Sequence, residues 1–582
     1  MSSRSLISFL LGFASLLAAG LALAGPAAKS AAQATAQTTP AAAVPSDQAL
    51  RSDAFAIEIT HLLETQLAAG ATEQRVQDLA ALQGLYRDSG WRPLWSDATG
   101  ADPRAKAMVA ALAAADSHGL DPEDYGSSAI AALMGATRPD LRAEFEVRLG
   151  LGAMAYASDL AQGRTIPGEV FAENHLAPHP IQRLAILKHL RAQPAARTAG
   201  HLAGLAPADP AYDRLRHALA ALRAGAAAGV NWPRVDGGKT LDTQTDIAGE
   251  GSRVAQLRAR LRASGDLSAE LDAASEDPSR AGVFDSALAA AVSRFQGRHG
   301  LEVDGRVGPN TLRALNVPLA ARVRQAEINL ERWRWMPDDL GDDHLLVNLA
   351  DFSVEGTFDG KPLYWTRAVV GAPYHRTPVF SDSIEYLEIN PYWNVPHSIA
   401  IKELLPKIKE DPDYLAARHY EILASWSETA TPLDPAQIDW LQVTAGSFPY
   451  RVRQKPGPQN ALGRIKFMFP NRFNVYLHDT PARSLFERAS RAFSHGCVRL
   501  DKPLELADLL LRDVPDWTPE RIRQTVASGR RTIVSLPEHL PIHITYLTAW
   551  ADADGTLQFR DDIYGRDAAL LDTLFGPRAG AD

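Results

Sequence analysis

The sequence predicts a multidomain α+β protein in which helical regions come first and a β-rich domain follows. The chain has 582 residues, a length that suggests about three or four domains. Apolar residues recur at helical spacing through its first half, whereas beyond residue 342 they alternate as they do in strands. Polar stretches that carry glycine or proline separate these regions, and such stretches are typical of domain boundaries.

Residues 1–24 are predicted to be a secretory signal peptide or a membrane anchor. Arg4 precedes an apolar run that ends in Ala22-Leu23-Ala24, and small residues at such an end are typical of a cleavage site. The run is nearly long enough to span a bilayer, so an uncleaved anchor is the alternative. Residues 25–50 are mostly Ala, Thr, Gln and Pro and are expected to form a disordered tether, because they cannot bury enough apolar surface to fold. Both predictions place the rest of the chain outside the cytoplasm.

The composition disfavours several classes of function. The formal net charge of -9 argues against a nucleic-acid partner, since phosphate binding needs a local excess of Lys and Arg. The sequence has no clustered His/Cys set of the kind that zinc sites require, so we expect neither a metal nor another cofactor. Cys497 is the only cysteine. Exported proteins commonly pair their cysteines, so a single one is expected to be intermolecular or reactive.

Three helical regions precede the β-rich domain. Residues 51–236 are rich in Ala and Leu at helical spacing and are predicted to form a helical scaffold domain without catalytic residues. Residues 250–317 place apolar side chains on three helix faces, with Pro309 just inside the start of the third, which predicts a three-helix module. Residues 318–341 are expected to form a connecting helix.

Residues 342–540 are predicted to form the β-rich domain. Apolar residues alternate on both sides of Asp359-Gly360, a dipeptide that is typical of hairpin turns. Within this domain, residues 397–453 return to helical spacing and accumulate proline and glycine, so we expect a helical capping insertion that covers a site. The remaining residues 541–582 are expected to pack on the scaffold domain.

One pair of residues indicates catalysis. Cys497 lies in Ser494-His495-Gly496-Cys497-Val498-Arg499, 19 residues after His478, which ends an apolar strand pattern. A thiol with a pKa of about 8.5 is mostly protonated at neutral pH and needs a base to become an effective nucleophile. We therefore interpret Cys497 as a nucleophile and His478 as its base. The backbone amides of Gly496 and Cys497 are candidate oxyanion donors, and Ser494 and His495 are polar neighbours.

A purely structural interpretation of each residue stands beside this one. A free cysteine is most often a small buried hydrophobe, and a histidine at a strand end is more often simply hydrogen-bonded. An idle thiol in an oxidising compartment is a liability, however, because accessible thiolates oxidise. Taken together, the two residues favour the catalytic interpretation.

These residues resemble the active-site signature of the L,D-transpeptidases, the cysteine enzymes that cross-link peptidoglycan. The resemblance rests on His478 with Thr480-Pro481, and on Ser494-His495-Gly496-Cys497 followed by Arg499. Residues 295–312 also resemble the peptidoglycan-binding module of many cell-wall enzymes. The order of regions between residues 53 and 567 is similar to that of the large Gram-negative members.

The resemblance implies a mechanism and a location. Cys497 would attack the bond between diaminopimelate and D-alanine in a donor tetrapeptide stem, and His478 would hand a proton to the departing D-alanine. The thioester would then pass to the side-chain amine of another diaminopimelate, whereas transfer to water would trim the stem. Peptidoglycan stem peptides in the periplasm are the implied substrates. Cell-wall synthases and, through the N-terminus, the inner membrane are candidate partners.

The resemblance leaves the roles of three neighbouring residues open. His495 would be a secondary site residue. Asp479 stands where many relatives have Ser or Gly, and its carboxylate either orients His478 or faces solvent. Arg499 stands where some relatives have Asn, and its guanidinium either binds a stem carboxylate or forms a structural ion pair.

Three other functions compete with this interpretation. A papain-like peptidase would carry its histidine far downstream of the cysteine, whereas His478 precedes Cys497. A non-enzymatic wall-anchoring protein would use only the three-helix module, and a redox sensor would need a second, resolving cysteine.

Overall fold

The computed structural model describes residues 54–69, 72–177, 181–245, 247–272, 277–411, 413–427 and 429–576. Over these ranges it confirms the multidomain α+β architecture, with helices first and the β-rich domain last. The predicted signal or anchor at residues 1–24 and the predicted tether at residues 25–50 lie outside the described residues. Within the described ranges, no helix is both long and apolar enough to cross a membrane.

The scaffold region consists of nine helices among the described residues, with a short hairpin between the second and third. Two helical segments end at Gly90 and Gly119, and both glycines adopt left-handed φ values, of 70° and 72°. Asp102 and Asp209 cap helices whose first residue is a proline, and each carboxylate accepts a backbone amide. The elements are α1 (Ala54–Ala68), α2 (Glu73–Asp88), β1 (Ser96–Asp97), β2 (Gly100–Ala101), α3 (Pro103–Ala113), α4 (Ser127–Ala132), α5 (Pro139–Gln162), α6 (Pro167–Val170), α7 (Arg183–Ala192), α8 (Thr198–Ala203) and α9 (Pro210–Ala227).

The described residues of the next region contain three α-helices, as expected, around an apolar core of their own. Its helices are α10 (Ile247–Ala263), α11 (Ser286–Arg298) and α12 (Pro309–Leu315). Gln296 holds the turn between the last two helices, because its amide donates to Asp304 and Thr311 and its oxygen accepts the amide of Gly305. The motif residues of this module therefore have a structural role, whatever they bind.

Helix α13 (Leu319–Arg334) connects the module to the β-rich domain. All residues from Ala326 to Arg334 are buried, which marks this helix as a centre of packing. Glu331 accepts the amides of Arg164 and Thr165 from the scaffold at 2.6 and 2.9 Å and pairs with Arg334 at 3.1 Å.

The β-rich domain begins with β3 (His344–Asn348), β4 (Ser353–Phe358), β5 (Lys361–Gly371) and β6 (Phe380–Ile389). The predicted hairpin at Asp359-Gly360 joins β4 and β5, and both turn residues have positive φ values, of 52° and 66°. The sequence pattern missed β4 as a separate strand, because the alternation before this turn had been assigned to β3 alone.

The capping insertion is only partly helical, which corrects the prediction for residues 397–453. The insertion begins with a helical stretch and a further short helix. These elements are α14 (His397–Ile399), a π-helical turn (Ala400–Leu404), α15 (Leu405–Glu410) and α16 (Tyr414–Ala417). A four-stranded sheet completes the insertion, formed by β7 (Trp393–Asn394), β8 (Tyr420–Leu423), β9 (Pro432–Leu433) and β10 (Arg451–Gln454). These strands are too short to show an alternating pattern in the sequence. The insertion has its own apolar core around Leu404, Ile422 and Val452.

The remaining strands of the domain are β11 (Ile465–Met468), β12 (Leu477–His478), β13 (Ala492–Ser494), β14 (Val498–Leu500) and β15 (Thr532–Thr545), with helices α17 (Pro503–Leu510) and α18 (Pro519–Ala527). The strand order is β13-β5-β14-β12-β11-β6-β15-β3-β4, and β4 also pairs with β5. This last pairing closes eight strands into a ring, with β13 attached beside β5. Strand β15 crosses the predicted domain boundary at residue 540.

The C-terminal elements are β16 (Ala549–Ala551), β17 (Leu557–Phe559) and α19 (Arg566–Phe575). They contact scaffold helices α6 and α9, the connecting helix α13, and helix α11 of the three-helix module. Arg560 joins two of these parts directly: it donates to the carbonyl of Arg298 in the module at 3.1 Å and to Asp351 in the β-rich domain at 2.5 Å.

Candidate active site

The candidate residues lie on three adjacent strands of the closed sheet. Lys466 on β11 is in register with His478 on β12, and His478 is in register with Arg499 on β14. Side chains in register on neighbouring strands point to the same face. Tyr476 and Cys497 are each two residues before a member of this row, so the period of two places them on that face as well.

This face forms the floor of a cavity of about 890 Å³ that the capping insertion covers. The predicted residues Ser494, His495, Cys497, Arg499 and His478 all line it, whereas Gly496 and Asp479 do not. The insertion and the short segment before it contribute further lining residues, which are Asn394, Pro396, Ile399, Glu403, Trp426, Arg451 and Arg453.

Cys497 is partly exposed in the cavity and its thiol donates weakly to the carbonyl of Asn474 at 3.7 Å. Burial of the sulfur raises the pKa of the Cys497 thiol above its ordinary range. Hydrogen bonds from Tyr476 and the charges of Lys466 and Arg499 oppose that shift. The resting group at neutral pH is therefore a thiol with thiolate-stabilising neighbours in place.

His478 is buried, and its Nδ1 lies within hydrogen-bond distance of the backbone carbonyl of Asp479. Burial, together with the nearby charge of Arg499, lowers the pKa of His478 to about 3, although backbone carbonyl acceptors oppose the shift. A carbonyl can only accept a hydrogen bond, so we assign the proton of the neutral ring to Nδ1. In this tautomer Nε2 is the ring nitrogen that can accept a proton.

The loop that carries Cys497 is held by its own backbone and by Ser494. Gly496 has a φ of 117°, which a residue with a Cβ rarely adopts, and its carbonyl accepts from the hydroxyl of Thr377 at 2.8 Å. Ser494 Oγ donates to the carbonyl of Cys497 at 2.5 Å and accepts the amide of Gly496 at 3.1 Å. The Gly496 amide is therefore already engaged, contrary to its predicted role as an oxyanion donor. The Cys497 amide has no acceptor among the described residues.

His495 connects this loop to the capping insertion. Its Nε2 lies 2.6 Å from Oε1 of Glu403, which belongs to the π-helical turn. On its other side the ring faces His375 at a centroid distance of 4.8 Å.

Asp479 has neither of the roles that the sequence left open. Its carboxylate accepts the amide of Arg464 at 2.8 Å and lies 3.5 Å from Arg483. Its backbone carbonyl, rather than its carboxylate, is the group that holds His478. The side chain of Asp479 lines a neighbouring recess rather than the cavity that holds Cys497, and a role for it in substrate binding stays a prediction.

Sequence reasoning missed two residues of the cavity floor, Tyr476 and Lys466. Both were detectable as polar members of strand patterns: Tyr476 lies two residues before His478, and Lys466 interrupts the apolar run Ile465, Phe467. The ammonium group of Lys466 lies 4.0 Å from the centre of the Tyr476 ring.

Three segments of the chain match known protein families. Residues 342–533 match the family described as "L,D-transpeptidase catalytic domain", residues 250–315 match "Putative peptidoglycan binding domain", and residues 80–219 match "Scaffold domain".

A curated relative carries the same assignment. The "Putative L,D-transpeptidase" of Haemophilus influenzae is 38% identical over 243 residues, which are 42% of this chain and 48% of that protein. The matched region thus spans about half the length of the relative. On these matches, residues 342–533 are similar to the L,D-transpeptidase catalytic domain, and part of the chain is similar to a protein named as a putative L,D-transpeptidase.

Proposed function

We propose that this protein is a peptidoglycan L,D-transpeptidase that uses Cys497 as its nucleophile. The observation that carries the proposal is the joint placement of Cys497 and a neutral His478 on the floor of one covered cavity. The substrate would be a donor tetrapeptide stem, and the acceptor would be the side-chain amine of diaminopimelate in a second stem. No metal or cofactor takes part in the proposed reaction.

In the first half-reaction, Cys497 Sγ attacks the carbonyl carbon of diaminopimelate while His478 Nε2 takes the thiol proton. A protonated imidazole with a pKa of about 3 gives up its proton readily, so transfer to the D-alanine nitrogen accompanies cleavage of the peptide bond. D-Alanine leaves, a thioester remains, and His478 is neutral again. The Cys497 amide is the backbone donor still available to the oxyanion, and one such donor is worth about 3 kcal/mol in other enzymes.

In the second half-reaction, the neutral acceptor amine attacks the thioester carbonyl. His478 takes the proton from the attacking nitrogen and returns it to sulfur as the carbon–sulfur bond breaks. The products are the new amide and the free thiol. With water as the acceptor, the same steps release a tripeptide stem, which is the hydrolytic alternative.

The capping insertion and the three-helix module supply the rest of the proposal. By covering the cavity, the insertion would exclude water from the thioester and favour the amine. The module would hold peptidoglycan strands, and the protein would act in the periplasm. A cell-wall synthase that provides nascent strands would be a partner.

Mass spectrometry of products from disaccharide-tetrapeptides tests this function. Wild-type protein should yield cross-linked dimers and a thioester adduct on Cys497, whereas Cys497→Ala should yield neither. His478→Gln should reduce adduct formation by at least about 100-fold. Tripeptides without dimers would identify a carboxypeptidase instead. An unchanged effect of Cys497→Ala on sacculi would favour a non-catalytic wall-anchoring protein.

A further inference from the structure

Arg499 is a charged side chain in the cavity that the protein itself does not pair. Within the described parts of the chain, its guanidinium makes no hydrogen bond and no ion pair, and its Nε is buried without a partner. Other guanidinium groups of the same cavity are engaged: Arg453 with Glu421 at 2.7 Å, and Arg531 with Glu388. The structural ion pair that the sequence left open for Arg499 is therefore not formed by any described residue.

A partly buried charge that lacks a partner is costly to keep, and Arg499 is half-buried with its Nε fully buried. Burial lowers the pKa of Arg499, which reflects the water lost from the guanidinium. A bound anion would complete its hydrogen bonds, and a carboxylate fits the planar fork of a guanidinium in bidentate fashion.

The position of Arg499 identifies which anion. It lies two residues beyond Cys497, at a Cα separation of about 6.6 Å along a strand, and in register with His478. The proposed reaction places the attacked carbonyl at Cys497 and the departing nitrogen at His478. One residue beyond that carbonyl, about 3.5 Å further along an extended peptide, is the carboxylate of the departing residue.

We propose that Arg499 binds the C-terminal carboxylate of the residue that leaves the donor. This inference rests on the proposed function and adds a specificity determinant to it. Arg499 would restrict donors to those with a single residue after the cleaved bond, because a longer or amidated end has no carboxylate at this place.

Three synthetic donors show which carboxylate of the stem peptide Arg499 binds. They are the tetrapeptide stem, the same stem with a C-terminal carboxamide, and the same stem with the side-chain carboxylate of diaminopimelate amidated. The rate of thioester formation, followed by intact mass, should be about 10- to 100-fold lower for the C-terminal carboxamide. Amidation of diaminopimelate should have a small effect.

Variants of Arg499 should remove this preference selectively. Arg499→Met should slow the acid donor much more than the carboxamide donor, so that the two rates become equal. Loss of the positive charge near the Cys497 sulfur should slow both donors alike. Arg499→Lys should keep part of the preference, since the charge remains without the fork. Arg523→Met, which removes a guanidinium on the surface helix α18, is the matched control and should keep the full preference.

Two results would overturn the inference. Equal slowing of the acid and carboxamide donors in Arg499→Met, with a shifted pH profile of thiol alkylation, would show that Arg499 acts on the sulfur. Loss of discrimination against the diaminopimelate amide alone would assign Arg499 to the other carboxylate.

A binding measurement separates this inference from the proposed function. Calorimetry with Cys497→Ala protein compares the affinities for acid and carboxamide donors without any chemistry. Preferential binding of the acid that Arg499→Met abolishes would support the inference even if the wild-type protein formed no thioester. Equal affinities for the two donors would contradict it even if thioester formation succeeded.

Discussion

At the scale of single residues, the site holds an uncharged thiol and an uncharged imidazole rather than an ion pair. The pKa of His478 is lowered to about 3 and that of Cys497 is raised, so both groups are neutral at pH 7. Burial is the main cause of both shifts, because it disfavours whichever form carries charge. Nucleophilic attack and proton transfer must therefore occur together.

The pH dependence of Cys497 alkylation by iodoacetamide measures directly whether the thiol and the imidazole are neutral. Above about pH 4 the imidazole is neutral and does not titrate further, so the rate should follow the thiolate fraction alone. We expect a rise of about tenfold per pH unit between pH 5 and 8, without a plateau. A rate that is constant across this range would show a thiolate–imidazolium pair and contradict the neutral assignment.

Tyr476→Phe should make the thiol harder to ionise. The Tyr476 hydroxyl lowers the pKa of Cys497 through a hydrogen bond, and such a bond to a charged group is worth about 1.5–3 kcal/mol. Alkylation at pH 8 should slow about tenfold, and the inflection of the pH profile should move upward. Tyr374→Phe removes a hydroxyl from a ring that is 82% exposed and should leave the profile unchanged.

The sequence predicted Cys497 and His478 as a pair because their residue types and spacing are typical of one chemistry, and both line the same cavity. It missed Lys466 and Tyr476 because single polar residues in apolar strands are common and acquire meaning only from the register of three strands. The role of Asp479 was not predictable either, since a backbone carbonyl replaces the expected carboxylate.

At the scale of elements, the capping insertion folds around its own core and reaches the nucleophile loop through one polar contact. Glu403 on the π-helical turn meets His495, two residues before Cys497. Both side chains are about two-fifths exposed, at 42% and 40%, so the contact is worth at most about 1 kcal/mol. An energy of this size can shift the closure of a lid without being needed for folding.

Glu403→Gln should therefore loosen the insertion and let water compete with the amine. We expect the ratio of hydrolysis to transfer to rise by up to about fivefold, with faster amide exchange across residues 397–453. Glu410→Gln, at the exposed end of α15, is the matched control and should change neither. If Glu403→Gln left both the ratio of hydrolysis to transfer and the amide exchange unchanged, the contact between Glu403 and His495 would have no role in closing the insertion over the cavity.

Elements with strong patterns were predictable, and short ones were not. The three-helix module followed from helical spacing and from Pro309 at a helix start. The four strands of the insertion have two or four residues each, which is too few for a period of two to emerge. Tertiary pairing, rather than local preference, determines them.

At the scale of the whole molecule, helix α13 joins the scaffold to the β-rich domain. Glu331 is 1% exposed and satisfies the amides of Arg164 and Thr165 as well as Arg334. The order of the regions could be predicted from composition and resemblance. This buried contact could not, because its partners are more than 160 residues apart in the sequence.

Glu331→Ala should destabilise the protein strongly, because it leaves Arg334 and two amides buried without their acceptor. We expect a loss of about 3–5 kcal/mol in urea unfolding, with the scaffold and the β-rich domain unfolding in separate transitions. Glu144→Ala removes an exposed i,i+4 pair and should cost no more than about 0.5 kcal/mol. A loss that small in Glu331→Ala would mean that other contacts suffice to join the two domains.

Arg560 connects the three-helix module to the β-rich domain. Since one guanidinium spans from the Arg298 carbonyl to Asp351, the three-helix module, which we propose to bind peptidoglycan, is linked directly to the β-rich domain that carries Cys497. A glycan strand bound by the module would present its stem peptides at a fixed distance from Cys497. The distance between the peptidoglycan-binding module and Cys497, in addition to the chemistry at Cys497, would then determine which neighbouring strands are cross-linked.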